Sequence, residues 1–297
     1  MVEYAKLIDH MREYARQSAV LGEPVQTSLP DLGVFSCDRE TTFEATLYQP
    51  VYCLILQGKK ETIIGDRTIT YGAGDALVVS HDLPVVSRIT EASAKHPYLA
   101  LIFYLDLTIL RGLQDQLGVH DQEEDAVSSI AVSQAEARLV GVLERYFSLH
   151  KDPMEEKVLG PLVRKEIHFR LLTAPHGGML RKMLNRDSHA SRIDRAIGII
   201  RQKYKSSFVV QELAQSVGMS TSSFHEHFKS VTQTTPLRYQ KDLRLMEAKR
   251  LLLEGEHSVS TVAYEVGYES PNQFSREYSR KFGVAPQRDA RNHAIDA

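Results

Sequence analysis

The last ninety or so residues of the chain contain an internal repeat. Residues 214–220 (Ala-Gln-Ser-Val-Gly-Met-Ser) correspond to residues 263–270 (Ala-Tyr-Glu-Val-Gly-Tyr-Glu-Ser). Each copy is followed by aromatic residues four apart and then a proline, namely Phe224, Phe228 and Pro236 in the first and Phe274, Tyr278 and Pro286 in the second. The offset is 49 residues up to the glycines (263 − 214) and 50 after them (274 − 224), so the second copy has one extra residue. A short helix, a glycine turn and a second helix are the layout of a helix-turn-helix unit, so two such units are predicted.

Length and composition are those of an ordinary globular protein. The 297 residues, 42% hydrophobic and 25% charged, can form two domains with a core each. The apolar runs are far shorter than the ~20 residues that cross a bilayer, and the N-terminus has no basic segment followed by an apolar core. Two cysteines, Cys37 and Cys53, make no disulfide framework or zinc cluster. We therefore expect a cytoplasmic protein without membrane partners.

Charge is distributed unevenly along the chain. The net charge is −2, but from Ala190 onward there are 16 Lys and Arg against 12 Asp and Glu, a net of +4. The remaining 20 basic and 26 acidic residues give the preceding 189 residues a net of −6. A basic end suits contact with nucleic acid, because neutralising phosphates supplies affinity that does not depend on sequence.

The first half has a β pattern followed by a helical one. Short β-rich runs separated by glycine turns occupy about residues 30–105, which predicts a sandwich or barrel. Residues 133–149 and 155–172 have helical periodicity with one apolar face each. Thr173-Ala-Pro-His-Gly-Gly178 interrupts this pattern. We predict domains at 1–172 and 191–297, joined by a basic linker at 173–190.

The outward faces of the second helices carry polar groups that can recognise bases. With Phe224 inward in a helix starting at Ser220, the opposite face follows from 100° per residue, and the same holds around Phe274. Arg pairs with guanine, Asn or Gln with adenine, and Glu accepts from cytosine in the major groove. The candidate DNA contacts are Ser222, His225, Glu226 and Lys229 in the first copy and Asn272, Gln273, Ser275, Arg276 and Arg280 in the second.

Structural roles compete with these assignments. Helix pairs with a glycine turn also occur in purely structural bundles, although two matched copies with polar outer faces favour DNA binding. Ser270 and Gln273 fit a capping box with Pro271 at the first helical position, so Gln273 is either a cap or a base contact. His227 leans inward, which indicates packing. His225 and His227 are not spaced as metal ligands, which a helix places one turn apart.

A long helix is predicted between the two units, from Pro236 to about Glu254. Its length of ~27 Å could hold the recognition helices about one DNA turn apart, against two successive major grooves. The apolar stripe of Leu245, Ala248, Leu251 and Leu252 is core, and the helix's basic residues, Arg244 among them, are expected to be ordinary solvated charges.

Three stretches of the second half resemble the signature of AraC/XylS-type transcription regulators. They are residues 244–252 (Arg-Leu-Met-Glu-Ala-Lys-Arg-Leu-Leu), 263–278 and 282–286 (Phe-Gly-Val-Ala-Pro). The resemblance covers roughly 191–288 and implies two helix-turn-helix subdomains joined by a long helix. It places the family's base-reading residues on Ser222, His225 and Glu226, then on Asn272, Gln273, Ser275 and Arg276. The first recognition helix departs from the pattern because it is poor in Arg and Gln.

Residues 50–60, 71–76 and 82–85 resemble the cupin-like N-terminal domain of one AraC subgroup, over about 20–172. The implied fold is α+β and multidomain, with a cupin-like β-barrel and flanking helices before an all-α DNA-binding domain. The resemblance implies a barrel that binds a small-molecule effector and adjusts DNA binding; the subgroup suggests an aldehyde or another electrophile. Promoter DNA is the expected main partner, and RNA polymerase is a further expected partner.

Catalysis is the rival hypothesis, as a metal-dependent cupin-type enzyme. His81 and His96 are isolated and form no His-x-His pair, and no nucleophile triad or phosphate-binding loop is recognisable. We therefore expect no catalytic residues, no metal and no cofactor. A ligand-independent regulator, whose barrel only dimerises, is a third hypothesis.

Cys53 is the one chemically suggestive residue of the first half. It alternates with Leu54 along a predicted strand, so one of the two should face the barrel interior. A buried cysteine is usually an inert small hydrophobe, whereas a thiol sensor needs access and a lowered pKa.

The predicted helices at 133–149 and 155–172 could cover the barrel or pair with a second subunit. We expect a homodimer, because paired operator sites are commonly bound by dimers.

Overall fold

The computed structural model describes residues 2–18, 20–118, 128–186, 188–255 and 257–296. Among these, ten strands lie in the first half and pair in antiparallel fashion into two sheets. The first sheet has the order β1-β2-β9-β4-β7-β10, and the second has the order β3-β8-β5-β6. The strands are β1 (Val25–Gln26), β2 (Leu32–Cys37), β3 (Glu44–Tyr48), β4 (Val51–Gln57), β5 (Lys59–Ile64), β6 (Arg67–Gly72), β7 (Asp75–Val79), β8 (Leu83–Glu91), β9 (Tyr98–Tyr104) and β10 (Ile130–Gln134).

Helices cover the outer face of the six-stranded sheet and pack into one core with it. They are α1 (Val2–Gln17), α2 (Leu107–Leu117), α3 (Ala137–Ser148), α4 (Pro153–Thr173) and α5 (Gly177–Leu184). Because side chains alternate along a strand, Tyr52, Leu54 and Leu56 of β4 join this core, whereas Val51 and Ile55 join a second core between the sheets. Full burial of each such leucine or isoleucine contributes about 1.5–3 kcal/mol.

Two parts of the predicted layout are corrected. The helical region expected from residue 133 begins at Ala137, because Ile130–Gln134 forms β10, an edge strand paired with β7. Five residues are too few to show a period of two against the neighbouring helical pattern. The expected linker at 173–190 contains α5, whose Met179, Leu180 and Met183 are buried in the N-terminal helical core.

The second half is helical, as expected. It contains α6 (His189–Gln202), α7 (Val210–Ser216), α8 (Thr221–Thr232), α9 (Pro236–Leu253), α10 (Val259–Glu265), α11 (Pro271–Phe282) and α12 (Pro286–Asp296). One core lies between α6, α7, α8 and the start of α9, and another between the rest of α9, α10 and α11. These are the two expected helix-turn-helix subdomains, called here the first and second subdomain, and α9 is the expected long helix between them.

Candidate nucleic-acid interface and ligand cavity

The first recognition helix, α8, begins where the sequence predicts. The Ser220 side chain caps it by accepting from the Ser223 backbone N–H, and Phe224 and Phe228 are fully buried. His227 stacks on His189 with ring centroids 3.8 Å apart, so it packs as expected. The four candidate DNA contacts of this helix, Ser222, His225, Glu226 and Lys229, are all exposed.

The second recognition helix, α11, has its predicted start but not the full capping box. The Ser270 side chain accepts from the Gln273 backbone N–H, and Pro271 occupies the first helical position. The Gln273 amide does not reach back to Ser270; its Nε2 lies 3.4 Å from Oε1 of Glu277, further along the helix. Because α8 begins three residues after Gly218 and α11 four after Gly267, the extra residue of the second copy lies in this turn.

The side chains of α11 divide between core and solvent. Phe274 and Tyr278 are fully buried, and Phe282 packs partly against the same core. Among the candidate DNA contacts, Asn272, Gln273, Arg276 and Arg280 are exposed and Ser275 is half-buried. Within the described residues Arg276 and Arg280 take part in no ion pair, so their guanidinium groups remain available to an external acceptor.

Ion pairs attach the opposite flank of α11 to α9. Lys241 Nζ lies 2.9 Å from Glu277 Oε1, and Lys281 Nζ lies 2.6 Å from Asp242 Oδ1. Burial alone would raise the pKa of Glu277, but hydrogen bonds from Lys241 and the Tyr268 hydroxyl hold it below its ordinary value. These contacts fix the rotation of α11 about its axis, and therefore which residues it presents to solvent.

Arg244 of α9 connects the two subdomains, which corrects the expectation that it is an ordinary solvated charge. Its guanidinium donates to the carbonyl oxygens of Tyr204 (2.6 Å) and Lys205 (3.1 Å) in the first subdomain and of Gly267 (2.8 Å) in the second. At Gly267 the chain has φ +92°, and a Cβ there would overlap the Lys205 carbonyl. The second helix-turn-helix turn therefore packs directly on the first subdomain.

A cavity of about 610 Å³ lies between the two sheets, within the size range of small-molecule sites. Its wall combines aliphatic and aromatic side chains, several tyrosines among them, with a lysine and two cysteines. Residues that line it include Phe35, Tyr48, Val51, Cys53, Lys60, Tyr71, Leu77, Tyr98, Ala100 and Ile102.

Cys53 faces this cavity, and its neighbour Leu54 faces the helical core, as strand alternation predicts. Cys53 is half-buried and is one of the residues that line the cavity. Burial raises the pKa of Cys53 to about 11, although the Lys60 ammonium lowers it. This environment opposes the thiolate that a nucleophilic sensor requires.

The loop after β7 binds the barrel to the first subdomain. His81 is fully buried; its Nδ1 lies 2.8 Å from the Ser80 hydroxyl, and its Nε2 lies 3.1 Å from the Ala190 carbonyl oxygen, to which it donates. Burial lowers the pKa of His81 to about 4, so the ring is neutral at pH 7. Asp82 pairs with Arg201, and its carbonyl accepts from the Tyr239 hydroxyl at 2.8 Å. His96, the other isolated histidine, is exposed.

A second contact joins the barrel to the end of α8. The Ser129 hydroxyl donates to the Val231 carbonyl, and Gly65 approaches Gln233 so closely that a Cβ would overlap the Gln233 carbonyl oxygen. Leu47 of β3 packs against the core of the first subdomain. The Ser129 and Gly65 contacts lie at the C-terminal end of α8, and the polar outer face of this helix is exposed.

The N-terminal half matches the family model described as AraC-type transcriptional regulator N-terminus, over residues 28–179, just over half of the chain. The chain belongs to the AraC-type transcriptional regulators. A second model, described as a helix-turn-helix domain, matches residues 213–292 of this regulator. The two helix-turn-helix subdomains are therefore the DNA-binding part of the protein, and the resemblance found in the sequence is confirmed.

Two sequence relatives and one solved structure are similar to this chain over different extents. The HTH-type transcriptional regulator ExsA of Pseudomonas aeruginosa is 24% identical over 241 residues, which cover 79% of this chain and 84% of ExsA. The HTH-type transcriptional activator RhaS of Escherichia coli is 33% identical over 103 residues, covering 35% of this chain and 37% of RhaS. A crystal structure of an apo ToxT variant from Vibrio cholerae superposes with a TM-score of 0.55 at 12% identity, over 89% of this chain and 98% of that ToxT chain, which supports the fold.

Proposed function

We propose that this AraC-type regulator reads two successive major grooves with the exposed faces of α8 and α11. The observation that carries the proposal is the pair of recognition helices, both with exposed polar faces, fixed to one another through Arg244 and Gly267. Helix α9, at ~1.5 Å for each of its 18 residues, spans ~27 Å, close to the ~34 Å of one DNA turn. The proposed DNA contacts are Ser222, His225, Glu226, Lys229, Asn272, Gln273, Ser275, Arg276 and Arg280, of which all but Lys229 and Arg280 are proposed to read bases.

Selection of bound DNA from random sequence tests this proposal. We expect a recovered motif of two short blocks about one helical turn apart, with the block under α11 better defined because that helix presents Asn, Gln and Arg. Salt-sensitive binding without a recovered motif would mean that only phosphate contacts contribute, and the two-groove proposal would be wrong.

The barrel cavity is proposed as the effector site that adjusts DNA binding. Its volume suits a small molecule, and a crystal structure of ToxT with a TM-score of 0.53 holds an unsaturated fatty acid, which supports a small-molecule effector in this fold. Strand β3 gives a route for coupling, since Tyr48 lines the cavity while Leu47 packs on the first subdomain. A ligand that favours one arrangement of the barrel and this subdomain would shift the balance between them.

The Tyr239–Asp82 hydrogen bond provides a test of this coupling. Tyr239→Phe removes the bond between the first subdomain and the barrel but keeps the aromatic ring that packs against Phe228 of α8. We expect it to reduce the effect of an effector on DNA affinity while the recovered motif stays the same. Tyr264→Phe, at an exposed tyrosine of the second subdomain, is the matched control. An undiminished response in Tyr239→Phe would show that the coupling does not pass through this hydrogen bond. The absence of any stabilising ligand in a broad thermal-shift screen would favour the ligand-independent regulator.

We propose that a second copy of the chain covers the exposed face of α4. Met154, Val158 and Leu162 lie four residues apart on one helix face and are 76%, 60% and 65% exposed. The opposite face, with Val163 and Ile167, is buried against the barrel's helices. Such a row of exposed apolar side chains suits a helix–helix interface between two copies.

Sedimentation velocity tests the dimer. Val158→Glu should shift the parent dimer to monomer, whereas Val209→Glu should not, because Val209 is similarly exposed at 55% but lies outside α4. A parent protein that sediments as a monomer at micromolar concentration, with and without DNA, would contradict the proposal.

Sensing rather than catalysis is the proposed role of the barrel. The similar proteins are named as transcription regulators, and His81, one of the two histidines that could have served a cupin metal, is buried against the first subdomain. Metal analysis of the purified protein is the discriminating measurement, since stoichiometric iron, manganese or zinc would favour the enzyme.

In the parts of the chain that the structure describes, none of the helices combines the length and the apolar composition that a membrane span requires. We place the protein in the cytoplasm, with promoter DNA and RNA polymerase as partners.

A further inference from the structure

Two adjacent lysines of β5 have opposite environments. Lys59 is 57% exposed and its Nζ lies 2.6 Å from Glu91 Oε2. Lys60 points to the other side of the sheet, where it lines the cavity, and no carboxylate of the described residues lies within ion-pair distance of it. An ammonium group surrounded by protein without a carboxylate partner is costly, so Lys60 requires another explanation.

The surroundings of Lys60 keep it charged. Its Nζ lies 5.6 Å from the ring centroid of Phe35 and 5.7 Å from that of Tyr48, which are cation–π distances. Burial alone would lower the pKa of Lys60, but Tyr48, Cys53 and the more distant Glu44 outweigh it and hold the pKa above its ordinary value. The cavity thus contains a positive charge at neutral pH.

The other charged residues of the cavity wall do not neutralise this charge. Arg88 is bound to Glu61 through two contacts of 2.8 Å. Glu23, Arg39 and Glu44 also line the cavity, but all three are exposed, and therefore belong to its rim rather than its interior. Solvent screens charges at such positions. Lys60 therefore makes the charge of the cavity interior positive.

Hydroxyl groups accompany the ammonium. The Tyr71 hydroxyl lies 2.8 Å from the Thr62 hydroxyl and 3.2 Å from that of Tyr48, so these three form a connected cluster. Tyr98 also lines the cavity, and its hydroxyl has no hydrogen-bond partner among the described residues. Tyrosine hydroxyls beside an ammonium can donate to the oxygens of an anion.

From this arrangement we infer that the effector is a small carboxylic acid with an apolar body, whose carboxylate binds Lys60 and the neighbouring tyrosine hydroxyls. The apolar body would contact the aliphatic part of the wall, at Val51, Leu77, Ala100 and Ile102. A carboxylate supplies the missing partner of the Lys60 charge, whereas a neutral ligand would leave that charge unpaired. The inference rests on the proposed role of the cavity as the effector site.

Calorimetry on the full chain tests the inference with matched probes. Benzoate, 3-phenylpropanoate and octanoate are each compared with the corresponding neutral amide at pH 7.5. We expect at least one acid to bind at least ~10-fold more tightly than its amide, as a charge-assisted contact requires. Lys60→Met should abolish this preference, Lys60→Arg should retain it, and Lys59→Met, at the exposed neighbour, should leave it unchanged.

Three results would overturn the inference: no binding of any acid, equal binding of acids and amides, or a preference that survives in a folded Lys60→Met protein. Measuring DNA affinity with each bound probe separates this inference from the proposed function. If only amides bind and alter DNA affinity, the cavity is an effector site and the carboxylate assignment is wrong. If acids bind through Lys60 without changing DNA affinity, the ligand class stands and the sensing role fails.

Discussion

Substitution of Arg276 tests whether the second recognition helix contributes more to specific DNA affinity than the first. It is exposed on α11 and has no ion pair among the described residues, so it can form a bidentate contact with guanine. We expect Arg276→Ala to cost about 1–3 kcal/mol of affinity for the selected site, and Glu226→Ala, the counterpart on α8, to cost less. Equal or reversed losses in titrations of that site would show that the first recognition helix contributes as much as the second.

The rate at which the Cys53 thiol is alkylated tests the hypothesis that the barrel senses electrophiles. With the pKa raised to about 11, on the order of one thiol in 10⁴ is ionised at pH 7, so alkylation should be slow and accelerate up to about pH 11. Iodoacetamide labelling in a Cys37→Ser background isolates the Cys53 thiol. Rapid labelling with a midpoint below pH 8, together with loss of the inducer response in Cys53→Ser, would instead support a sensor of aldehydes or oxidants.

Among the helices and strands, α9 stabilises the DNA-binding part through Arg244 more than its helical pattern suggests. Arg244→Met removes three hydrogen bonds to carbonyl oxygens, and we expect a loss of about 2 kcal/mol in the free energy of unfolding of the DNA-binding part. Since these bonds fix the two subdomains to one another, the variant should also bind the two-block site less tightly and tolerate altered spacing between the blocks.

Arg250→Met is the matched control on the same helix. Arg250 is 55% exposed and pairs only with Glu247 and Glu254 of its own helix among the described residues. Such surface pairs contribute little, so this variant should keep both the stability and the spacing requirement of the parent. An Arg244→Met protein with unchanged spacing preference would show that packing at Gly267 alone sets the geometry.

At the scale of the whole molecule, His81 makes the joint between barrel and first subdomain dependent on pH. Its folded-state pKa of about 4 lies below the ordinary 6.5, so the folded state binds fewer protons than the unfolded state between these values. The contribution of neutral His81 is therefore complete above pH 6.5 and is lost as pH falls to 4, by about 3 kcal/mol in total. Burial raises the pKa of Asp82 in the same joint, which has the opposite effect on stability as pH falls.

Comparison with a variant isolates the His81 contribution. We expect His81→Gln to have a flatter dependence of unfolding free energy on pH between 4 and 6.5 than the parent, because the glutamine amide can donate to the Ala190 carbonyl without titrating. Denaturant melts at several pH values measure this difference. Parallel curves for the two proteins would mean that His81 does not remain neutral in the folded state.

Short-range patterns in the sequence are enough to predict the two recognition helices and the faces they present, although they miss strand β10 and helix α5. Ser220 and Ser270 cap their helices, and Phe224 and Phe274 turn inward. The candidate DNA contacts on the other side are exposed except for the half-buried Ser275, because helical period and capping act over a few neighbouring residues. Strand alternation likewise requires Cys53 and Leu54 to face opposite sides of their sheet, and the structure shows that Cys53 is the one facing the cavity. Local geometry is sufficient for such statements.

Which distant groups meet depends on the three-dimensional packing of the chain. The Arg244 partners lie 23 to 40 residues away, and the His81 ring donates to a carbonyl 109 residues away. In the sequence Lys59 and Lys60 are equivalent charges, yet one pairs with Glu91 at the surface and the other lies in the cavity. Side-chain periodicity predicts which way a side chain points but not which residues it contacts. Those residues come from distant parts of the chain and are brought there by tertiary packing.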